Sequence, residues 1–540
     1  MSVSNQKETA QNSTFEYKIL RNKWFLYVTE FFAGVSVMAV ELGASRLLAP
    51  YFSSSQIVWT IIIGTIMIAM ALGNLYGGRS ADRNPDPARL YRRLMVAALW
   101  IAAIPVVGKY IIVLISGVLI VAVETNLLVA AAFLSCIAIF VFPLLLLGTV
   151  TPSLVKYATK SLDESGRVVG GIGAAGTAGS IIGTFLPTFV TIPAAGTAAT
   201  FLIFAGVLLA LGLGYFLRAG GGTRFALLSV LAFLLCAVLG AKSSPAFWET
   251  RLAYEGESVY NYLQVKDDER KTVFSTNVMF GVQSKRVKDG SLTGMYFDYA
   301  LAAPTLTNGG DVLILGMGTF AEQCRRSFPS SHAVGVEIDE KIIGLSRKYF
   351  ELPEEIPVVA YDGRAYLQMD ENRYDVVMVD AFRDITIPFQ MSSVEFFRLV
   401  EQHLAPRGVM VVNLNMRAGG PGNINERLID TIAAVFPAIR VVEVASDTNL
   451  ALFAARDEST LDRLPRLAEQ LSDRELSALM RHVAAHWQSP ARGGEPLTDD
   501  CAPVELLGMR AIDGLIQKEL EYYKEVYRRD GIEGLRKALT

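Results

Sequence analysis

The sequence predicts a polytopic α-helical membrane domain of about seven helices, joined to an α/β, Rossmann-like domain that a small antiparallel β-domain precedes. Three observations carry this expectation. The 540 residues are 51% hydrophobic and only 19% charged, with a positive mean hydropathy, which excludes both a disordered chain and an ordinary soluble enzyme. The apolar excess lies before about residue 240, whereas the remainder has the charge density of a soluble protein with its own core. From residue 312 onward, short apolar runs that end in glycine or an acid recur between helical stretches, the pattern of a parallel sheet.

The first half divides into apolar stretches at 24–50, 57–78, 94–123, 127–150, 168–192, 197–217 and 225–240. The second and fourth carry no charge at all and are long enough to cross about 30 Å of hydrocarbon at about 1.5 Å per residue. Seven crossings are therefore expected. Arg79, Arg83, Arg89, Arg92 and Arg93 follow the second stretch, and Lys156, Lys160 and Arg167 follow the fourth. The positive-inside rule puts the N-terminus in the cytoplasm. The first stretch holds acids and lacks a small-residue cleavage site, so a removable signal peptide is not expected. Glycines at 170, 173, 176, 179 and 183 form a small-residue stripe suited to close helix approach. Glu41 and Arg46 suggest either an intramembrane ion pair or a substrate contact.

From about 251 the segments YNYLQV and KTVFST read as a small antiparallel β-domain. VLILGMGTF (312–320) is a buried strand ending in glycines, followed by a helical stretch through Cys324 and the strand AVGVEID, with Glu337 about twenty residues after the glycines. Gly316 and Gly318 allow backbone approach to a ligand, and Glu337 can accept two ribose hydroxyls. PVVAYDGRAYL places Asp362 and Gly363 after a third strand, YDVVMVDAF ends a fourth at Asp380, and GVMVVNL is a fifth. These polar positions at the carboxyl ends of parallel strands line the crevice where such sheets bind ligands. A nucleoside methionine substrate fits the spacing better than a dinucleotide, because the glycine loop from Gly316 is not a pyrophosphate-type GxGxxG.

The net charge of −3 gives no basic surplus for nucleic acid. Cys136, Cys236, Cys324 and Cys501 lie far apart without a CxxC pair, so no zinc knuckle or disulfide framework is expected. His482 and His486 lack a third ligand, and no metal is expected. Asp499, Asp500 and Glu505 form an acidic cluster that suits either a solvated loop or a polyamine's distal ammonium. The stretch LIQKELEYYKEVYRR reads as a charged amphipathic helix for packing or self-association, so a homo-oligomer is among the expected assemblies.

The ordered series YNYLQV, VQS, MYFDYALAAP, LGMGTF, VGVEID, YDGRAYL and YDVVMVDAF resembles spermidine synthase, an aminopropyltransferase built from a small β-domain and a Rossmann-like domain, over roughly residues 250–440. ELGASRLLAPYF, GNLYGGRSADR, IPFQMSSVEFF and LTDDCAPVE are similar to the membrane proteins in which a transporter-like half is fused to spermidine synthase. The resemblance implies a class I S-adenosylmethionine-type fold and a domain plan of tail (1–23), transmembrane domain (24–245), β-domain (251–304), Rossmann-like domain (305–455) and helical extension (456–540). It also implies roles. Glu337 would hold the ribose, Asp362 and Gly363 the adenine, with Gln283, Gly316, Gly318 and Thr319 also on the donor side. Asp380 would be the base or the amine-orienting acid, with Tyr296 also catalytic, and Tyr260, Asp298, Arg383 and Asp384 would lie on the acceptor side.

Three departures bear on the donor. Thr319 stands where the family has an aspartate that grips the cofactor's terminal amine, Phe297 replaces a His or Gln, and Arg383 replaces an acid. The expected activity is cleavage of S-adenosylmethionine or its decarboxylated form to 5′-methylthioadenosine, with transfer of an aminopropyl-type group to an amine such as putrescine. A lyase giving homoserine lactone, a methyltransferase and a non-enzymatic transporter or sensor are the alternatives. The expected location is multi-pass in a bacterial inner or plasma membrane. A cytosolic donor argues for a cytoplasmic soluble domain, which seven crossings would contradict. The expectation is reconciled if 225–240 is re-entrant or if 94–123, with Pro105, Gly108 and Lys109, is a broken pair.

Overall fold

In the computed structural model, the described residues are 23–122, 126–159, 161–219, 222–241, 243–278, 281–316, 318–380, 387–415, 422–444 and 449–539. The chain divides into a helical unit over residues 1–248, apart from 123–127, and a second unit over 249–540.

The helical unit holds α1 (Lys23–Phe52), α2 (Gln56–Arg83), α3 (Pro87–Ala122), α4 (Leu127–Ala158), α5 (Leu162–Leu186), α6 (Ile192–Ala219) and α7 (Thr223–Gly240). Local chemistry sets several of these ends. Ser55 caps α2 by accepting from the Val58 N–H, and α3 starts on Pro87, whose missing N–H costs nothing at a first turn. Pro143 lies just after the π-helical turn Ile137–Val141 and Pro187 opens the π-helical turn Pro187–Thr191, where the ladder is already displaced.

Among the described residues six helical runs are long and apolar enough to cross a membrane, and one of them, Asp163–Ala219, has 57 residues. That run contains two legs. Gly196 has φ +85° and ψ 169°, a conformation that glycine tolerates without strain. There the Thr200 hydroxyl donates to Thr191 Oγ1 at 2.9 Å, whereas nine residues of straight helix would separate them by about 13 Å. α5 runs parallel to α1, with Gly179 against Phe31 and Gly183 against Val35. α6 then returns along the same helix, Phe201 meeting Gly43 and Phe204 packing on Val35 and Ala39. The bundle therefore has seven legs.

Neither expected irregularity occurs. α3 is continuous through Pro105, Gly108 and Lys109, and the Pro105 carbonyl accepts from the Ser243 hydroxyl. α7 is a regular helix of 18 residues, with no proline and no glycine before its last residue, long enough to rise about 27 Å. The glycine stripe is only partly used. A Cβ at Gly179 or Gly183 would lie 2.0 or 2.4 Å from a backbone oxygen of α1, while Gly170 and Gly173 meet nothing within 4 Å. Gly176 makes room for Glu30, whose carboxyl accepts from the Thr151 hydroxyl at 2.7 Å. Glu41 and Arg46 are half-buried on α1.

The second unit opens with an antiparallel sheet in the order β1 (Leu252–Glu257), β2 (Tyr262–Asp267), β3 (Lys271–Ser275), β4 (Ser284–Val287). The short helices α8 (Tyr296–Ala300) and α9 (Ala302–Thr307) follow. An alternating region comes next: β5 (Asp311–Leu315), α10 (Phe320–Ser327), β6 (His332–Glu337), α11 (Glu340–Phe350), β7 (Val358–Ala360), α12 (Gly363–Met369), β8 (Tyr374–Val379), α13 (Val394–Gln402) and β9 (Leu404–Leu414). It closes with α14 (Ile424–Ala433), β10 (Ala438–Glu443), β11 (Leu450–Ala455), α15 (Glu458–Leu461), α16 (Leu464–Glu469), α17 (Arg474–His486) and α18 (Val504–Leu539).

The seven-stranded sheet has the order β10-β11-β9-β8-β5-β6-β7, parallel except that β11 is antiparallel to both its neighbours. Its central strands read as unbroken apolar runs because both faces are covered. Val312, Ile314, Val376, Met378, Val409 and Val411 are at most 1% exposed. Strand order reverses between β5 and β8, so their carboxyl ends frame a crevice.

Candidate active site

Four strand ends build one cavity. β5 ends at Gly316, which adopts φ +96° and turns the chain away, as only glycine does without strain. β6 ends at Glu337, β7 leads to Asp362, and β8 ends at Asp380. All four line a cavity of about 190 Å³ that Tyr260, Gln283 and Gly363 also border. Gly318 is not among the lining residues but lies beside Asp380, where a Cβ would sit 3.5 Å from Asp380 Oδ2.

Glu337 and Asp362 are each oriented by their own strand-to-helix turn. Asp362 is the N-cap of α12 and accepts from the Ala365 N–H at 2.8 Å. Glu337 Oε1 accepts from the Asp339 N–H at 2.9 Å, and Asp339 in turn caps α11. Ser258 donates to Asp339 and accepts from the Tyr260 and Asn261 N–H groups at 3.0 and 2.8 Å. The loop between β1 and β2 is thereby fastened to the end of β6, which sets Tyr260 at the cavity.

Asp380 is half-buried, and it lines the cavity. Its Oδ2 accepts from the Tyr296 hydroxyl at 2.6 Å and its Oδ1 from Asn413 Nδ2 at 3.0 Å. Asn413 is itself held by Asn449, whose Nδ2 donates to Asn413 Oδ1 at 2.7 Å. Loss of solvation pushes the Asp380 carboxyl up to about 7; the Tyr296 and Asn413 hydrogen bonds oppose this, and the Glu337 charge adds to it. A carboxyl so placed exchanges a proton near neutrality.

Several predicted residues lie elsewhere. Asp298 is fully buried and accepts from the Thr293 hydroxyl, the Gly294 N–H and Gln323 Nε2, so it does not border the cavity. The reason is helical geometry: two residues along α8 rotate the side chain by about 200°, and only Tyr296 of this pair faces Asp380. Thr319 is also buried, and its hydroxyl donates to the Lys285 carbonyl at 3.0 Å rather than into the cavity. Arg383 and Asp384 lie outside the described residues.

In the late acidic cluster, Asp499 is engaged by Arg364 through both carboxylate oxygens, at 2.7 and 2.6 Å, and by the Ser393 hydroxyl. That leaves it committed to α12 and α13. His482 and His486 stack with ring centroids 4.2 Å apart, and among the described residues no cluster of three metal-ligating side chains occurs. Asn413 and Asn449 are the residues that sequence reasoning missed. The signal for Asn413 was a lone amide closing the apolar run GVMVVNL.

Fold and site define an α/β protein of the Rossmann-like class, with an acid-lined cavity beside a small antiparallel β-sheet. Residues 300–419 match the Spermine/spermidine synthase domain family. The chain is 45% identical over 345 residues to a probable polyamine aminopropyl transferase of Bifidobacterium longum, covering 60% of this chain and 77% of that protein. It is 29% identical over 168 residues to a polyamine aminopropyltransferase of Chromobacterium violaceum, covering 30% of this chain and 62% of that protein. A crystal structure of a probable spermidine synthase from Corynebacterium glutamicum superposes with a TM-score of 0.35 at 19% identity, over 46% of this chain and 98% of that one. The protein belongs to the polyamine aminopropyltransferase family of transferases, which includes spermidine synthase.

Proposed function

We propose that this protein is a membrane-resident aminopropyltransferase that uses decarboxylated S-adenosylmethionine and an amine such as putrescine. The carrying observation is the charge of the cavity. Its described ionic lining consists of Glu337, Asp362 and Asp380, with no cation. Such a site favours a donor that carries a sulfonium and an ammonium, together with a cationic amine acceptor, over one bearing a carboxylate. Glu337 accepts the ribose hydroxyls, and Asp362 with Gly363 borders the adenine.

The acceptor nitrogen attacks the propyl carbon next to sulfur. The C–N bond forms as the C–S bond breaks, the bonding pair stays on sulfur, and methylthioadenosine leaves. The nitrogen's surplus proton passes to Asp380, whose Oδ2 and Oδ1 are held by Tyr296 and Asn413. Neutralising the sulfonium in a partly apolar cavity favours the transition state.

Mass spectrometry of nucleoside products tests this reading. Methylthioadenosine is expected from the decarboxylated donor only when putrescine is present. Methylthioadenosine from S-adenosylmethionine alone would replace transfer by lyase chemistry, and S-adenosylhomocysteine would replace it by methyl transfer. Asn413→Leu removes a donor that favours ionised Asp380. It is expected to move the acid limb of kcat/KM upward by about one pH unit, read from a pH–rate profile.

The helical unit is read as bilayer-embedded. Its outward side chains are apolar and open: Leu217 is 84% exposed, Phe189 70%, Leu114 67% and Val238 67%. Apolar surface on this scale is unstable in water and suits lipid.

A further inference from the structure

We propose that the transferase unit works on the non-cytoplasmic face of the membrane, so that its nucleoside donor has to be supplied across the bilayer. This rests on the reading that the helical unit spans a bilayer. It goes beyond that reading because it follows from which end of the bundle carries positive charge and which end releases the chain.

The basic loops gather at one end. Lys156 bonds to Asp82 at 2.8 Å and the Tyr157 hydroxyl to the Asp86 carbonyl at 3.1 Å, joining the α2/α3 turn to the end of α4. Arg92 lies over the Phe216 ring at 6.0 Å, which adds the α6/α7 turn with Arg218 and Arg224. Phe25 stacks on Tyr91 at 5.5 Å, so α1 begins there as well.

The chain leaves at the other end. Tyr51, in the last turn of α1, donates to the Pro245 carbonyl at 2.8 Å, and Lys109 Nζ donates to the Ser244 carbonyl at 3.2 Å. Tyr91 and Lys109 are 18 residues apart on one continuous helix, about 27 Å, close to the thickness of a hydrocarbon core.

Among the described residues the opposite end carries Arg46, five residues before Tyr51 on α1, and Lys109, against the many arginines and lysines of the first, an asymmetry that orients the basic end to the cytoplasm. The bundle has seven legs, and the two irregularities that would have made the number even are absent. Beyond residue 245, no helix among the described residues is long and apolar enough to return. The polar segment that follows therefore stays on the far face.

Supply of the donor then requires a carrier step, since a nucleoside with two positive charges does not cross lipid unaided.

The native cysteines permit a direct test with the full chain in intact cells. Cys501 is exposed, Cys136 and Cys324 are buried, and Cys236 is half-buried within α7. A membrane-impermeant maleimide is expected to label Cys501 as fully in intact cells as after permeabilisation, with the signal lost in Cys501→Ser. In that background, Asn84→Cys, exposed in a basic loop, is expected to react only after permeabilisation. Labelling of Cys501 only after permeabilisation, with Asn84→Cys reactive in intact cells or on the same side as Cys501, would overturn the proposal. A phosphatase reporter fused after residue 250 gives a second readout, active if the proposal holds and inactive if it fails. Release of the protein from membranes by alkaline carbonate would instead remove the bilayer reading, and with it this proposal, while leaving the enzymology untouched.

Discussion

Asp380→Asn is expected to lower kcat by about 10²–10⁴-fold, the range associated with a lost general base, without a matching loss of affinity for methylthioadenosine. On the reading proposed above that product rests on Glu337 and Asp362, and both carboxylates remain in the variant. The same group sets the pH dependence. With its carboxyl at about 7, the wild-type rate should fall as pH drops through that value, and Asp380→Asn should abolish this limb. Stability moves in the opposite sense. A carboxyl raised above its ordinary value favours the folded state fully at low pH, and this contribution is lost as pH rises through about 7. Above that pH the ionised group costs the fold on the order of a few kcal/mol, so Asp380→Asn should unfold at a higher temperature than wild type at pH 8. A variant that is both inactive and less stable at pH 8 would contradict this account.

Gly179→Ala is expected to be the most damaging single-methyl change in the helical unit. The new Cβ would lie 2.0 Å from the Phe31 carbonyl oxygen, a backbone atom that can move only if α1 moves. Overpacking of this kind costs about 1–3 kcal/mol or more. Gly173→Ala, two turns earlier on the same helix, meets nothing within 4 Å and should gain about 0.5–1 kcal/mol from helix propensity. Thermal unfolding of the two variants in detergent checks the contrast. Equal shifts would mean that α5 does not pack on α1 through this face.

Much of the cavity was legible because parallel strands bring their carboxyl ends to one edge. Glu337, Asp362 and Asp380 each close an apolar run, so strand order alone places them together. Asp298 was misread for the complementary reason. A short helix offers no apolar run from which to judge its facing, and MYFDYALAAP does not tell which side of α8 meets the sheet. Asn449 was invisible because it acts through Asn413 across 36 residues of sequence. The seven legs were readable as hydropathy, but the reversal at Gly196 gives only the weak signal of one glycine after Pro193. Thr319 was expected on the donor side from the resemblance, because it stands where the family has an aspartate. Its hydroxyl turns to Lys285 O, a long-range contact that no local pattern encodes.

The grip of Asp499 on Arg364 has a consequence for the order in which the protein comes into being. Arg364 sits in the first turn of α12, next to Asp362 and Gly363, and its clamp comes from a segment 135 residues further on. The Val394 N–H likewise waits for the Leu497 carbonyl. On the bilayer reading proposed above, a chain still on the ribosome can thread all seven legs into lipid, yet the turn that carries Asp362 and Gly363 stays without its Asp499 brace until residue 499 has been made. On that reading insertion precedes competence, and a product truncated before the LTDD segment would hold the helical unit complete and the cavity unbraced.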